Sequence, residues 1–205
     1  MAIISNAVTI ADAGAFSASL GSMTLIKTIT AGGSSTINFV HGSSSVIFDS
    51  TYPIYRFEFI NFHPSEETVV RFQGSINGGT DYGVHITSTA FRTRHYENNG
   101  VAQIGYRVDD DRAQSTSPQP LHGNLAADND HCMGGTLMFF NPSSTTFVKH
   151  FMSNMNSSTS TPGSANEFMA GYFNTTSAIN AIQFDFDNSA NFAAGKIKLY
   201  GIKDS

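Results

Sequence analysis

The sequence predicts an all-β protein: an antiparallel, jelly-roll-like β-sandwich over residues 22–205, preceded by a short N-terminal arm or adaptor segment at 1–21. Three observations predict it. Apolar residues recur with period two. In Ile54-Tyr55-Arg56-Phe57-Glu58-Phe59-Ile60, the side chains of Tyr55, Phe57 and Phe59 share one face, and Arg56 and Glu58 take the other. That is a half-buried strand, because successive strand side chains point to opposite faces. The runs are short and are punctuated by clusters of Asn, Pro, Gly and Ser, which supply turn dihedrals and local side-chain hydrogen bonds. Many short strands at such spacing read as a sandwich or barrel. Finally, no stretch long enough for a helix carries a 3.6-residue apolar stripe. The nearest, residues 7–20, is diluted by Gly, Ser and Thr.

Taken in order, residues 1–21 hold a single charge, Asp12, among many small side chains, which suits an arm rather than a domain. Strands are expected at 24–30, 35–40, 45–49 and 54–60, then a turn at His63-Pro64-Ser65-Glu66-Glu67. A strand at 68–76 ends in Asn77-Gly78-Gly79-Thr80-Asp81. Strands at 84–92 and 101–107 lead to residues 109–130, where Pro118, Pro120, Gly123 and scattered charges suggest a long loop. A strand at 136–140 and the turn Asn141-Pro142-Ser143-Ser144 precede one at 145–152, with Phe147, Lys149 and Phe151 on one side. Residues 154–165 read as a low-complexity loop tip, followed by a strand at 168–174. Ile182-Gln183-Phe184-Asp185-Phe186-Asp187 alternates strictly, and a charge-flanked strand at 196–202 closes the chain. Unstructured loops beyond about 12–15 residues are usually functional, so 109–130 and 154–165 are candidate recognition loops.

Composition excludes several classes. A chain of 205 residues can bury a sizeable core, on the order of 70% of its unfolded surface. Only 13% of residues are charged, about half the usual ~25%. The polarity comes from 25 Ser, 19 Thr, 16 Asn and 18 Gly. No apolar run reaches the ~18–20 residues of a membrane span, and the first residues lack the basic and apolar regions of a signal peptide. A net charge of -5 without a basic stripe speaks against nucleic acid as a partner. The single cysteine, Cys132, rules out an intrachain disulfide framework and reads as a buried, inert thiol. Seventeen Phe and seven Tyr argue against disorder. Only five lysines occur, and none lies between Thr28 and Val148. Sheet proteins often guard exposed edges with Lys. Here either the edges are covered, by the fold or by neighbouring subunits, or the Ser/Thr/Asn surface needs little charge. The second reading is the plainer.

Chemistry-bearing motifs are sparse. No Gly-x-Ser-x-Gly elbow is present, and Gly32-Gly33-Ser34-Ser35 lacks the Lys and spacing of a phosphate-binding loop. Two acidic clusters, Asp109-Asp110-Asp111 and Asp128-Asn129-Asp130-His131, make Asp109, Asp111, Asp128 and Asp130 the candidate calcium ligands. Neither has EF-hand spacing, and the alternative is a solvated loop whose Asp residues cap turns. Asp185 and Asp187 share a strand face and read as solvated rather than as a glycosidase pair. Seven Tyr leave carbohydrate binding open, although no Trp is present. The sequons at Asn156 and Asn174 carry weight only in a secreted protein. No catalytic residue and no cofactor is assigned.

Several strings stand out together: Thr24-Leu25-Ile26-Lys27-Thr28-Ile29-Thr30, Phe39-Val40-His41-Gly42-Ser43-Ser44, Ser50-Thr51-Tyr52-Pro53 and Ile60-Asn61-Phe62-His63-Pro64. Phe140-Asn141-Pro142-Ser143-Ser144-Thr145-Thr146-Phe147-Val148-Lys149-His150, Ala170-Gly171-Tyr172-Phe173-Asn174-Thr175-Thr176 and Gly195-Lys196-Ile197-Lys198-Leu199-Tyr200-Gly201-Ile202 complete the set. With these strings the chain resembles, over roughly residues 3–203, virion structural proteins of tailed bacteriophages of marine bacteria, the cyanophages and pelagiphages. The resemblance implies a non-enzymatic, multi-copy particle protein, located in the virion after assembly in the host cytoplasm. The leading expectation is a tail-appendage, fibre or host-adhesion component. A capsid-decoration or head-fibre protein and a carbohydrate-binding sandwich module are the alternatives. Expected partners are copies of itself, other virion proteins and a host surface glycan, with neither nucleic acid nor membrane insertion. A hydrolase such as a depolymerase would need two carboxylates, or a Ser and a His, converging in one cleft.

Overall fold

The computed structural model describes residues 22–204 and, within the first 21 positions, the backbone strands β1 (Ile3–Ser5), β2 (Val8–Asp12) and β3 (Ala15–Phe16). These three pair antiparallel in a small sheet of order β1-β2-β3. The rest of the expected arm lies outside the described residues. Among the described residues every regular element is a strand.

Beyond the arm, two antiparallel sheets form a sandwich. The larger contains β4 (Met23–Thr30), β6 (Ile54–Pro64), β8 (Ile86–Tyr96), β9 (Ala102–Tyr106), β11 (Met133–Phe140), β12 (Lys149–Ser158), β13 (Gly163–Phe173) and β15 (Phe192–Ile202). Its order is β4-β15-β6-β11-β12-β13-β8-β9. The smaller contains β5 (Ile37–Val40), β7 (Thr68–Ser75), β10 (Gln119–Leu125) and β14 (Ala181–Phe186), in the order β10-β7-β14-β5. The split of four and eight strands is larger than that of an eight-stranded double-Greek-key jelly roll.

The alternating aromatics read from the sequence build the core. Phe184 of the small sheet meets Phe57 and Phe59 of the large one, each at a ring-centroid distance of 5.2 Å and close to edge-on. Phe39 meets Phe57 at 5.2 Å, and Phe72 meets Phe151 at 5.1 Å. These rings are almost fully buried. Burying a Phe contributes roughly 1.5–3 kcal/mol, and edge-to-face geometry adds about 0.5–1.5 kcal/mol.

Five expectations change. The strand expected at 54–60 runs on to Pro64, through a bulge at Asn61 (φ 48°), so that Phe62 and Pro64 face inward and the turn expected at 63–67 is confined to 65–67. Gly195 lies opposite the bulge at φ 94°, where an added Cβ would sit 2.3 Å from the Asn61 carbonyl oxygen, so only glycine fits. The long loop expected at 109–130 contains β10, with Gln119, Leu121 and Leu125 buried. Pro120 is tolerated within it because β10 is an edge strand. The loop tip expected at 154–165 is mostly the β12–β13 hairpin, in which Ser153, Met155 and Ser157 point inward and Asn154 and Asn156 outward. The strand expected at 145–152 starts only at Lys149, leaving Phe147 69% exposed in the preceding turn. Lys149 itself is buried beside Phe151, and its ammonium donates to the carbonyls of Phe147 (2.9 Å) and Thr175 (3.0 Å). Residues 45–49 form no strand, but Val46 and Phe48 still reach the core.

Candidate functional site

Two features stand out: the outer face of the large sheet, and a polar cluster at one side of the interior. Strand register places Tyr106, Phe91 and Phe168 in one row across β9, β8 and β13. The Phe91 and Phe168 rings stack at 4.8 Å and 13°. The next row runs Thr89, Ala170, Met152, Met138, and the one after it Thr87, Tyr172, His150. Met152 (55%), Ile104 (70%) and Phe91 (42%) are openly exposed. A shallow depression of about 430 Å³ lies among Phe140, His150, Met152, Ala170 and Tyr172. From β11 to β9, the alternation sends no Asp, Glu, Lys or Arg to this outer face. The other half of the same face is charged: Arg56 pairs with Glu58 at 3.1 Å, and Lys198 lies beside Glu58 in register. The edge strand β9 is exposed at all five residues and carries neither charge nor proline.

The polar cluster fills the interior between β10 and strands β13 and β8. Glu167 on β13 accepts a hydrogen bond from the Arg92 guanidinium (3.1 Å) and another from the Gly123 N–H (2.9 Å). Asp110 accepts from Arg107 at 2.7 Å. An added Cβ on Gly123 would lie 3.5 Å from both Asp110 carboxylate oxygens and 3.7 Å from Glu167 Oε1, so the two acids crowd the same stretch of backbone. Burial, and then the Asp110 charge, push the Glu167 carboxyl up to about 7. Gln119 ties the cluster together, donating to the Asp110 carbonyl (2.7 Å) and accepting from the Ser88 hydroxyl (2.6 Å). His122 shares a 3.0 Å hydrogen bond with the Ser157 hydroxyl, while its Nδ1 has no partner. Burial pulls the His122 imidazole down to about 4.

A Ser–His contact of this length is what a nucleophile and its base make. Here both residues are essentially unexposed, at 1% and 0%, and no carboxylate orients Nδ1. The two converging carboxylates, Asp110 and Glu167, are likewise buried and engaged by arginines.

The acidic candidates from the sequence do not gather. Asp109 is exposed, Asp111 accepts from the Tyr106 hydroxyl at 2.5 Å, and Asp128 and Asp130 flank the His131 imidazole at 3.9 and 3.8 Å. Among the described residues no group of three or more His, Cys, Asp or Glu is placed to hold a metal ion. The acid that matters structurally is the middle one, Asp110. Asp185 holds Arg71 in a bidentate pair (3.1 and 2.8 Å), and Asp187 accepts from the Thr68 hydroxyl and the Val69 N–H. Cys132 is half-buried rather than buried.

The fold and these surfaces define an antiparallel β-sandwich with one outer face whose β11-to-β9 half is uncharged and partly aromatic. Comparison with models of protein families, with curated proteins and with solved structures found no match.

Proposed function

We propose that the protein is a non-enzymatic structural component of a phage particle, exposed on the virion and present in several copies, as part of a tail appendage or fibre. The observation that carries the reading is the uncharged outer half-face from β11 to β9, with Phe91, Phe168, Met152 and Ile104 at its surface. Exposed apolar side chains gathered on an uncharged face are a mark of interaction sites. The unguarded β9 edge supports the same reading, because edges left without Lys or Pro invite pairing with another chain. Symmetric assembly repeats one such contact many times, so each can be individually weak. The sequence resemblance to virion proteins supplies the setting. The absence of charge on this face fits packing against copies of itself or other particle proteins better than recognition of a charged partner. A hydrolytic reading has less support, since both converging pairs of reactive groups lie beneath the surface.

Antibody labelling of purified particles, viewed by electron microscopy, tests the reading. Label at the tail in symmetric multiples is expected. Label on the capsid shell would move the protein to a decoration role, and particles that never carry the protein would overturn the proposal.

A further inference from the structure

An open sheet ends in two edge strands, and a bare edge is a row of unpaired N–H and C=O groups. Among the described residues, the edges are β4 and β9 of the large sheet and β10 and β5 of the small one. Three of the four carry devices that discourage pairing with another chain. β4 holds Lys27, and its register on β15 slips between Leu199 and Tyr200. β10 holds Pro120 and slips twice against β7. β5 is only four residues long. β9 has none of these: its five residues run against β8 without a slip, and all are exposed and uncharged.

The bonds between β9 and β8 fix which backbone groups are free. The Tyr96 N–H donates to the Val101 carbonyl (2.9 Å), and the Arg107 N–H donates to the Ala90 carbonyl (3.0 Å), so positions 101 and 107 address β8. In an antiparallel ladder alternate residues address the same neighbour. Gln103 and Gly105 therefore also face β8, and the N–H and C=O of Ala102, Ile104 and Tyr106 point to the open edge. The side chains of these three lie on the outer face, since they stand opposite His95, Thr93 and the exposed Phe91.

That pattern is complementary to its own reverse. Two β9 strands laid antiparallel with Ile104 opposite Ile104 place Ala102 opposite Tyr106 at both ends. Every free N–H and C=O of these three residues then meets a partner, in both copies. Moving the axis to Gln103 strands Tyr106, and moving it to Gly105 strands Ala102. The same register sets small residues against large ones, Ala102 against Tyr106 and Gly105 against Gln103, and brings together two Ile104 side chains that are each 70% exposed. Like charges do not meet across the axis, because the strand has none. We propose that the β9 edges of two copies pair antiparallel about a twofold axis at Ile104 and join the two large sheets into one. A foreign strand would not require β9 to match itself. The proposal deepens the assembly reading, on which it rests for the presence of neighbouring copies, by making the contact isologous and fixing its register. The contact is small and falls among weak interfaces below about 1,200 Å². The outer faces of the joined sheets stay free to pack on further particle proteins.

The test uses the full chain with Cys132→Ser, sedimented up to about 1 mM, and then carrying single cysteines under copper-phenanthroline oxidation. Opposed residues of a hydrogen-bonded pair have Cα atoms about 5.5 Å apart, within disulfide reach. Ile104→Cys should therefore bridge to a covalent dimer. Gln103→Cys should not, because its counterpart lies two residues along the strand, about 8 Å away and beyond that reach. Ile104→Pro deletes the central N–H on the open side without removing a bond to β8, and should weaken the dimer at least tenfold with little change in melting temperature. The cysteine pair keeps the test decisive if the proline variant fails to fold. The proposal is overturned if the parent stays monomeric, if Ile104→Cys bridges no better than Gln103→Cys, or if a folded Ile104→Pro dimerises as the parent does. Association without the Ile104 bridge overturns this pairing and leaves the particle reading standing. The bridge, in a protein that antibody never finds on particles, upholds the pairing and overturns the particle reading.

Discussion

Phe184 and Glu167 both point from a sheet into the interior, and both are almost completely withdrawn from solvent, at 0% and 2% exposure. Different forces hold them. Phe184 sits among Phe39, Phe57, Phe59 and Phe72, where stabilisation comes from removing carbon from water and is indifferent to pH. Glu167 sits among Arg92, Asp110 and the Gly123 N–H, where each group had to be desolvated and is recompensed only by well-formed hydrogen bonds and ion pairs. The aromatic region gives stability. The polar region, beside residues 107–118, ties β8, β10 and β13 together through hydrogen bonds.

The largest expected effect lies in the aromatic region. Phe184→Ala removes a ring shared by both sheets and should cost about 3–5 kcal/mol in urea unfolding, with the slope unchanged. A loss below about 1 kcal/mol would mean that the two sheets do not depend on this ring.

The polar region should instead respond to pH. The Glu167 carboxyl, raised from its ordinary 4.5 to about 7, favours folding fully below pH 4.5, and that contribution is lost as pH rises through 7. His122, lowered from 6.5 to about 4, favours folding fully above pH 6.5, and its contribution is lost as pH falls through 4. Between pH 4.5 and 6.5 the two slopes oppose each other, so the parent protein should show a flat stability profile there. His122→Gln should unmask a decline of about 3 kcal/mol as pH rises from 4.5 to 7. Glu167→Gln should unmask the mirror decline on acidification from 6.5 to 4. Identical profiles for all three proteins would show that the cluster does not titrate in this way.

The two regions also differed in how much of them the sequence disclosed. The aromatic strands were legible because Ile182 to Asp187 and Tyr55 to Phe59 alternate apolar with polar, and contrast is what periodicity detects. Strand β12 alternates just as regularly, but Ser153 and Ser157 face inward while Asn154 and Asn156 face outward, so the contrast vanishes. Strand β10 was hidden by Pro118, Pro120 and Gly123, residues that signal a loop unless the strand lies at an edge. The polar cluster was illegible for a different reason. Ser88, Arg92, Asp110, Gln119, His122, Ser157 and Glu167 come from separate segments, and only the sandwich brings them together. A cue did exist in the lone Glu167 within Asn166-Glu167-Phe168-Met169, a charge on the otherwise apolar inward register of its strand.

A smaller effect sharpens the contrast inside the cluster. Replacing Arg92 and Glu167 together by Met and Leu removes both charges at once, and should leave stability within about 1 kcal/mol of the parent, because a buried ion pair often only breaks even against packed apolar side chains. Glu167→Leu alone strands Arg92, which is 12% exposed, and should cost about 3 kcal/mol. Equal costs for the single and double variants would show that the pair is not coupled.

The smallest expected change in stability lies on the outer face of the large sheet, and there its smallness is informative. Met152→Lys places a charge on open surface and should shift stability by no more than about 0.5 kcal/mol, and Phe91→Lys should cost about 0.5–1.5 kcal/mol because it also removes the stack on Phe168. Residues in a core could not accept such a change, and residues on an inert surface would show no other consequence. On an assembly face the two lysines should abolish association beyond the β9-paired dimer, read as the loss of the parent's concentration-dependent sedimentation above that size, while the unfolding curve moves no further than this. A fall in stability of several kcal/mol would mean that the face is part of the fold. Unchanged sedimentation would mean that the absence of charge across β11 to β9 serves some purpose other than packing.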